Sequence, residues 1–388
     1  MIPGPVTAIQ EPLPSLDALE RRWLALEAQA EASFFLSWTW MGSWLGATGA
    51  RPDLVSVRDD DGVEIGLALF GISREPRKLG KPRTVRLNEA GDPAADRMYI
   101  EYNAPLAMRE REEEVTVAIA HLLGRRRDWK VLRLSGVSDD TGLIAAVPAR
   151  RRILVDVSPA YGVALGAVRE AVGDYLSLLS TNTRSQIRRS LKDHSDGAIG
   201  VTRAVTQGEA TDWLEEMRRL NVGRHADNAW DEPMFRAFAA EIVRTGLPTG
   251  AVDLLRVTIG GDITGYLLNF VRGDRAMNYQ SAFAEPVSPK DKPGLVTHMA
   301  AVAHYAGRGL GLYSLLAGKD RYKQSLATGS EELQWWQIER FSLGLEAEYW
   351  LRRVLRREAD PKPLLFTGGV RGVVPGCQLS RRCRSLRD

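Results

Sequence analysis

Apolar and polar positions along this chain repeat at two periods, and the order of those periods occurs twice. Residues 54–70, LVSVRDDDGVEIGLALF, are two apolar runs around Asp61-Gly62, which predicts a hairpin. Residues 254–270, LLRVTIGGDITGYLLNF, predict a second hairpin around Gly260-Gly261. A glycine follows four residues past the turn glycine in both copies, at Gly66 and Gly265. Each hairpin leads to a helical pattern and then a strand: REEEVTVAIAHLLG and KVLRLSGV in the first half, LVTHMAAVAHYAGRG and LYSLLAG in the second. Matching length, order and local chemistry predict a duplicated fold. The expected class is α/β (α+β), with two similar units, each a mainly antiparallel sheet flanked by helices.

Between these blocks, residues 18–46 read as helical, with an aromatic knot at Phe34, Phe35, Trp38, Trp40 and Trp44. Its simplest use is core, although Trp38 and Trp40 would also suit a cleft wall. Residues 83–107 read as an insertion between hairpin and helix, with Tyr99 and Glu101 on a strand leaving it. Residues 151–162 read as a strand that leads into a helix over 174–197. A strand and two helices fill 199–250, with Asn221, Arg224, His225 and Trp230 in the break between the helices. The folded part ends with a strand holding Trp335 and Trp336 on opposite faces, then an amphipathic helix. The expected units are residues 1–160, 161–360 and a basic tail, 361–388.

A chain of 388 residues with 44% hydrophobic content can bury two ordinary cores. No window approaches the apolar length that crosses a bilayer, and the N-terminus lacks the charged start and apolar core of a signal peptide, so the expected location is cytoplasmic. The two cysteines, Cys377 and Cys383, both lie in the tail, which leaves the body no disulfide framework, Cys-ligated metal or buried Cys nucleophile. Net charge is +3, but six basic residues against Asp388 give the tail +5 and leave the body at −2. The total is therefore no argument for nucleic-acid binding. The tail reads as a frayed terminus, with a weak membrane-surface or RNA contact as the sharper alternative. No His-x-x-x-His pair, Walker loop or Gly-x-Ser-x-Gly occurs, and no GxGxxG follows a strand.

The stretch from Tyr279 to Lys323 concentrates the chemistry as strand, basic glycine turn, helix, strand and a closing Tyr-Lys pair. Lys290, Lys292, Pro293 and Gly294 form the turn, and Pro293 stands where a helix tolerates a missing N–H. Free backbone N–H groups, the positive end of a helix dipole and two lysines make an anion seat suited to a diphosphate. The matching helix entrance in the first half is acidic, with Glu110, Glu112, Glu113 and Glu114 outweighing Arg109 and Arg111. That charge repels a diphosphate, so a diphosphate-bearing ligand is expected only in the second unit. Arg184 and Arg188 lie one turn apart on the preceding helix. They stand open to two readings, a solvated face or a contact with an anionic part of acceptor or coenzyme.

The ordered run PGLVTHMAAVAHYAGRGLGLYSLLAGKDRYK resembles the coenzyme A loop, helix and following strand of the GNAT acyltransferase superfamily. It is most similar to a tandem-domain branch that includes Fem-type aminoacyltransferases and acetyltransferase-like proteins associated with cellulose biosynthesis. The turn reads Pro-Lys-Asp-Lys-Pro-Gly, where the superfamily usually has Arg or Gln, two residues, then Gly-x-Gly or Gly-x-Ala. The resemblance implies acetyl-CoA or another acyl-CoA as co-substrate, with Lys290, Lys292, Gly294, Leu295 and Val296 at its diphosphate and no metal. It implies a carbonyl contact on the strand Asn278 to Phe283, where Gln280 and Ser281 are the polar side chains, and Tyr322 protonating the departing thiolate. It also implies an acceptor seated between the units, near Tyr99 and Glu101, with Arg184 and Arg188 in reach. The expected acceptor is a small molecule, sugar or polysaccharide precursor offering an amine or hydroxyl, and homodimerisation stays open. Two alternatives remain: a Fem-type enzyme using charged tRNA, whose long helical arm has no heptad counterpart here, and a non-catalytic scaffold in envelope polysaccharide biosynthesis.

Overall fold

The computed structural model describes residues 6–194, 197–224 and 228–359. His225 and the tail from residue 361, with Cys377 and Cys383, lie outside the described residues. The first half contains β1 (Thr7–Glu11), α1 (Leu16–Glu27), α2 (Trp38–Thr48), β2 (Asp53–Arg58), β3 (Glu64–Arg74), β4 (Arg83–Leu87), β5 (Leu106–Ala107), α3 (Glu112–Arg125), β6 (Val131–Ser138) and α4 (Leu143–Ala146). A long strand, β7 (Arg151–Ala164), then leads to α5 (Leu165–Glu170), α6 (Thr181–Asp193), β8 (Ile199–Arg203), α7 (Gln207–Asn221) and α8 (Pro233–Gly246). The second half continues with β9 (Val252–Ile259), β10 (Asp262–Arg272), β11 (Arg275–Phe283), α9 (Pro293–Gly307), β12 (Leu312–Ala317), α10 (Arg321–Leu326), β13 (Gly329–Glu339) and α11 (Leu343–Ala359).

Local chemistry sets many boundaries. Ser15 and Ser37 cap α1 and α2 by accepting N–H groups of their first turns, and Thr206 with Glu209 closes a capping box on α7. Pro233 and Pro293 open α8 and α9 at a position where no N–H is needed. The helix expected over 174–197 begins only at Thr181, because Ser180 caps it by accepting the Thr183 N–H at 3.2 Å. Residues 175–178 form a single 3-10 turn instead. The stretch expected as an insertion begins with a true strand, β4, and Tyr99 and Glu101 lie in irregular chain rather than on a strand.

All strands join one mixed sheet in the order β1-β2-β3-β4-β6-β13-β7-β12-β11-β10-β9-β8, with β5 paired to β3. Its neighbours are antiparallel except β4 with β6 and β11 with β12. Those two parallel pairs need a crossover, and α3 and α9 supply it. The duplicated hairpins are β2–β3 and β9–β10. Their shared glycine has a packing cause: a Cβ on Gly66 would stand 2.6 Å from Val115 of α3, and one on Gly265 would stand 2.9 Å from Thr297 of α9. Each crossover helix lies on its hairpin at that point.

The centre of the sheet departs from two consecutive units. β7 pairs with β12 and β13, and β13, from the far end of the chain, pairs with β6. Each half is thus completed by a strand from beyond its own run, and residue 160 falls inside β7. The aromatic knot is core, as expected, and it also joins the halves. Phe34 stacks on Phe270 of β10 at 4.2 Å, and Trp40 meets Phe238, Phe270 and Tyr279 edge-on at 5.0, 5.8 and 5.6 Å. Among the described residues no helix is long and apolar enough to cross a membrane, and no group of three or more His, Cys, Asp or Glu could hold a metal ion.

Candidate active site

β11 and β12 pair over only three residues each, Arg275–Met277 against Leu312–Ser314. Beyond that point β11 follows β10 to Phe283, while β12 follows β7 through a register shift between Ser314 and Ala317. The strands part as a V whose arms are Asn278–Phe283 and Leu315–Ala317. A bulge falls at its apex, since Leu268 faces Gln280 and Asn269 faces Asn278, leaving Tyr279 as the extra residue. Tyr279 sends its ring into the aromatic seam, and its hydroxyl donates to the Met98 carbonyl at 2.9 Å.

Polar side chains fix both arms. On the first, Ser281 donates to Asn278 Oδ1 at 2.8 Å, and Asn278 donates to Asn269 Oδ1 at 3.0 Å and to the Gln280 carbonyl at 3.2 Å. Asn221 of α7 holds the Ser281 carbonyl at 3.2 Å, and the Gln280 side chain stays half-buried. On the second arm Leu316 takes a φ of 58°, a strained value for a branched residue. Ser314 Oγ accepts the Leu316 N–H at 3.1 Å, and Lys323 donates to the Ala317 carbonyl at 2.7 Å.

The remaining partner on that arm comes from the other half of the chain. Glu101 accepts the Ala317 N–H at 2.9 Å and is only 9% exposed. Burial pushes its carboxyl up to about 7, against the opposing pull of the Ala317 N–H and the Lys323 charge. Burial also lowers Lys323, with Glu101 and Asp320 acting against it. Tyr99, by contrast, is 64% exposed and joins none of these contacts.

At the start of α9, Asp291 is the buried residue of the Lys-Asp-Lys turn. It accepts Ser190 Oγ of α6 at 2.7 Å and the Val287 N–H at 3.0 Å, and His194 Nε2 lies 3.3 Å away. Burial raises its carboxyl, yet these bonds win and hold it below the usual carboxylate range. Ser190 in turn accepts the Lys292 N–H at 2.9 Å. The two lysines differ. Lys290 is exposed and its ammonium has no partner among the described residues, whereas Lys292 folds back onto the Pro289 carbonyl at 3.1 Å. Gly294 and Leu295 are half-buried and Val296 is on the buried face of α9, so Lys290 and the helix start form the accessible part. On α6, Thr183, Ile187 and Ser190 form the buried face, leaving Arg188 exposed and Arg184 half-buried at its edge. Neither arginine forms an ion pair with a described residue.

Behind the arms lies His298, fully buried on α9. Its Nδ1 is 2.9 Å from the Tyr313 hydroxyl of β12. Its ring stands edge-on to Phe283 of the first arm at 5.7 Å and stacks on Tyr322 of α10 at 6.0 Å. Burial, aided by Lys323, drives the imidazole down to about 3, so it is neutral at physiological pH. Burial and then Asp320 raise the Tyr322 hydroxyl to about 12, although the ring keeps 40% of its surface exposed.

A cavity of about 1200 Å³ lies between the halves, lined by Tyr102, Met277, Arg275, Glu331, Asp139 and Arg272 among others. Met277 is the last paired residue before the V, and Tyr102 follows Glu101. Tyr102 donates to Glu331 at 2.7 Å, and Arg275 pairs with the same carboxylate at 2.9 Å. Acidic side chains outnumber basic ones around this cavity.

The first half repeats the V and fills it. β4 and β6 pair over Thr84–Arg86 and Val131–Arg133, then part. Asn103 bridges the arms, its N–H donating to the Gly136 carbonyl and its amide to the Leu87 carbonyl, both at 3.0 Å. Asn88 donates to Asn103 Oδ1 at 2.9 Å, and Ser135 donates to the buried Glu89 at 2.8 Å. Burial first, and Asp96 second, push the Glu89 carboxyl up to about 7.

Of the residues expected from sequence, Glu101, Gln280 and Ser281 lie on the arms of the V, Tyr322 stands against His298 on α10, and Lys290, Lys292, Arg184 and Arg188 lie at the α9 entrance and on α6. It passed over His298, Asp291 and the role of Lys323. A lone His on an apolar helix face and an Asp between two lysines carry no distinctive pattern.

Residues 181–324 match the family model described as acetyltransferase (GNAT) domain. Comparison with curated proteins gave no match. Among solved structures, the chain is similar to the C-terminal domain (DUF2156) of a putative lysylphosphatidylglycerol synthetase from Agrobacterium fabrum. The TM-score is 0.52 at 13% identity, covering 93% of this chain and 100% of that one. FemX gives a TM-score of 0.52 at 10% identity over 88% of this chain and 99% of its own. A conserved protein of unknown function from Bacteroides thetaiotaomicron gives 0.52 at 11% identity, covering 82% and 97%. At such identities the likeness is one of fold. Residues 181–324 match a GNAT acetyltransferase domain, and over most of its length the chain shares the fold of FemX and of the synthetase's C-terminal domain.

Proposed function

We propose that this protein is an acyl-CoA-dependent acyltransferase that moves an acetyl or other acyl group to an amine or hydroxyl of a small molecule, sugar or polysaccharide precursor. One observation carries the reading: β11 and β12 part beside the α9 N-terminus inside the segment that matches a GNAT domain. The residues fit the donor. Lys290 is exposed and unpaired, α9 has no side-chain cap, and the acid of the turn faces inward to Ser190 rather than outward. These features suit a diphosphate without the usual glycine pattern. An acyl-CoA supplies the activated thioester when bound; the chain supplies everything else.

Three tasks fall to its own residues. Glu101, with a carboxyl near 7, can accept the proton that leaves the acceptor amine or hydroxyl at neutral pH. Backbone N–H groups along Asn278 to Phe283 can meet the carbonyl oxygen as charge grows there. Tyr322, protonated at neutral pH, can return a proton to the leaving sulfur. The cavity between the halves, lined by Tyr102 next to Glu101 and by Met277 before the V, is the side from which the acceptor would come, and its acidic lining favours a cationic, amine-bearing molecule. Residues 1–160 act as scaffold and acceptor wall, since Asn103 spans their own V.

FemX has the same fold across 88% of this chain, and the Fem-type resemblance brings the second reading, a charged-tRNA donor. Titration calorimetry separates the readings. Heat from acetyl-CoA and none from aminoacyl-tRNA supports the proposal, and the reverse supports the Fem-type alternative. Silence from both at millimolar ligand overturns the enzyme reading in favour of a scaffold.

A further inference from the structure

His298 carries one unsatisfied nitrogen, and its hydrogen-bond bookkeeping fixes what that nitrogen must be. The ring is neutral and wholly buried; Nδ1 has Tyr313 as its partner and Nε2 has none among the described residues. Two tautomers are conceivable. If Nδ1 carries the proton and donates to the Tyr313 oxygen, the Tyr313 proton has no acceptor and the Nε2 lone pair is idle, leaving two buried groups unpaired. If Tyr313 donates to Nδ1, the proton resides on Nε2 and only one donor is unpaired. Each unpaired buried group is costly, so the second arrangement prevails. His298 therefore presents a fixed Nε2–H with nothing to receive it.

Its place gives that donor a use. The imidazole is bracketed by Phe283 on one arm of the V and Tyr313 at the root of the other, and only the half-exposed Tyr322 ring is stacked over it. It lies little more than one helical turn past the α9 start, against Phe283 at the end of the first arm. Building on the acyltransferase reading, we infer that Nε2–H of His298 is a donor-binding group that hydrogen-bonds a carbonyl oxygen of the acyl-CoA arm lying in the V, with Tyr313 setting its tautomer. His298 is wholly buried, so the bond forms only when the rings around it give way, and Tyr322, the most exposed of them, is the one that can move; donor binding and the seating of Tyr322 are thereby coupled.

An unpaired donor kept for a ligand behaves unlike a structural one. His298→Phe keeps a flat ring in the same space and exchanges the orphaned N–H for an orphaned Tyr313 hydroxyl; the melting temperature of the free protein should change little, while acetyl-CoA binding weakens about tenfold by calorimetry. His298→Gln, which keeps an N–H donor, should recover part of that loss. Nitrogen-15 NMR of the wild type should show the Nε2–H tautomer, with that resonance moving on adding acetyl-CoA. Unchanged affinity in His298→Phe, or an Nδ1–H tautomer, overturns this inference and leaves the acyltransferase reading intact. A wild type that binds no acetyl-CoA overturns both.

Discussion

Glu101 is the residue on which the chemistry and the pH behaviour both turn. Its carboxyl is buried, faces Lys323 and accepts one amide from the far half of the chain, a balance that settles near 7 instead of the ordinary carboxylate value. If it serves as the base, acyl transfer should rise as pH passes through about 7. Glu101→Gln keeps an oxygen for the Ala317 N–H but cannot take a proton, and should lower kcat by roughly a hundredfold while flattening that rise in a pH–rate profile. The same group has a stability signature of opposite sign. The folded chain binds its proton more tightly than the unfolded chain does, so the stability it contributes is full below about pH 4.3 and fades as pH climbs to about 7. Thermal unfolding of Glu101→Gln against pH should lose that part of the slope.

Among the elements, the hairpins and their crossover helices were legible because period-two alternation, turn glycines and a proline at a helix start are local signals. β2–β3, β9–β10, α3, α9 and β12 stand where the pattern puts them. Their most specific mark, the repeated glycine, records a helix resting on a strand. Gly66→Ala and Gly265→Ala should each cost about 1–3 kcal/mol in denaturant unfolding, because the added methyl meets Val115 or Thr297 with no room to move. Illegible elements depended on distant partners. β4 is a short run among arginines that becomes a strand through β3 and β6, and the break before α6 follows from a serine cap that an apolar pattern does not register. At the α9 entrance the sequence names two lysines but not their directions. A buried Asp291 ties the turn to Ser190, and Lys292 bends back to Pro289, which leaves Lys290 as the outward charge.

At the scale of the whole molecule, the halves are interlocked. Within the one sheet β13 completes the strands of the first half and β7 those of the second, and the two pair with each other over almost their full length. This exchange cannot be read from sequence, since either strand would satisfy its own half equally well. A fragment of residues 1–160 would leave the β6 edge bare and strip the aromatic seam of Phe238, Phe270 and Tyr279. Expressed alone it should aggregate or stay unfolded, while the full chain should unfold in a single calorimetric transition. The two halves also share a motif and divide its use: the same parted strands are stitched shut by Asn88 and Asn103 in the first and left open beside a basic helix start in the second. Hydrogen–deuterium exchange with and without acetyl-CoA tests that division most directly. Slower exchange is predicted for peptides covering 278–283, 290–298 and 315–323, with no change over 84–89 and 131–137. Protection in the first half, or none in the second, would contradict it.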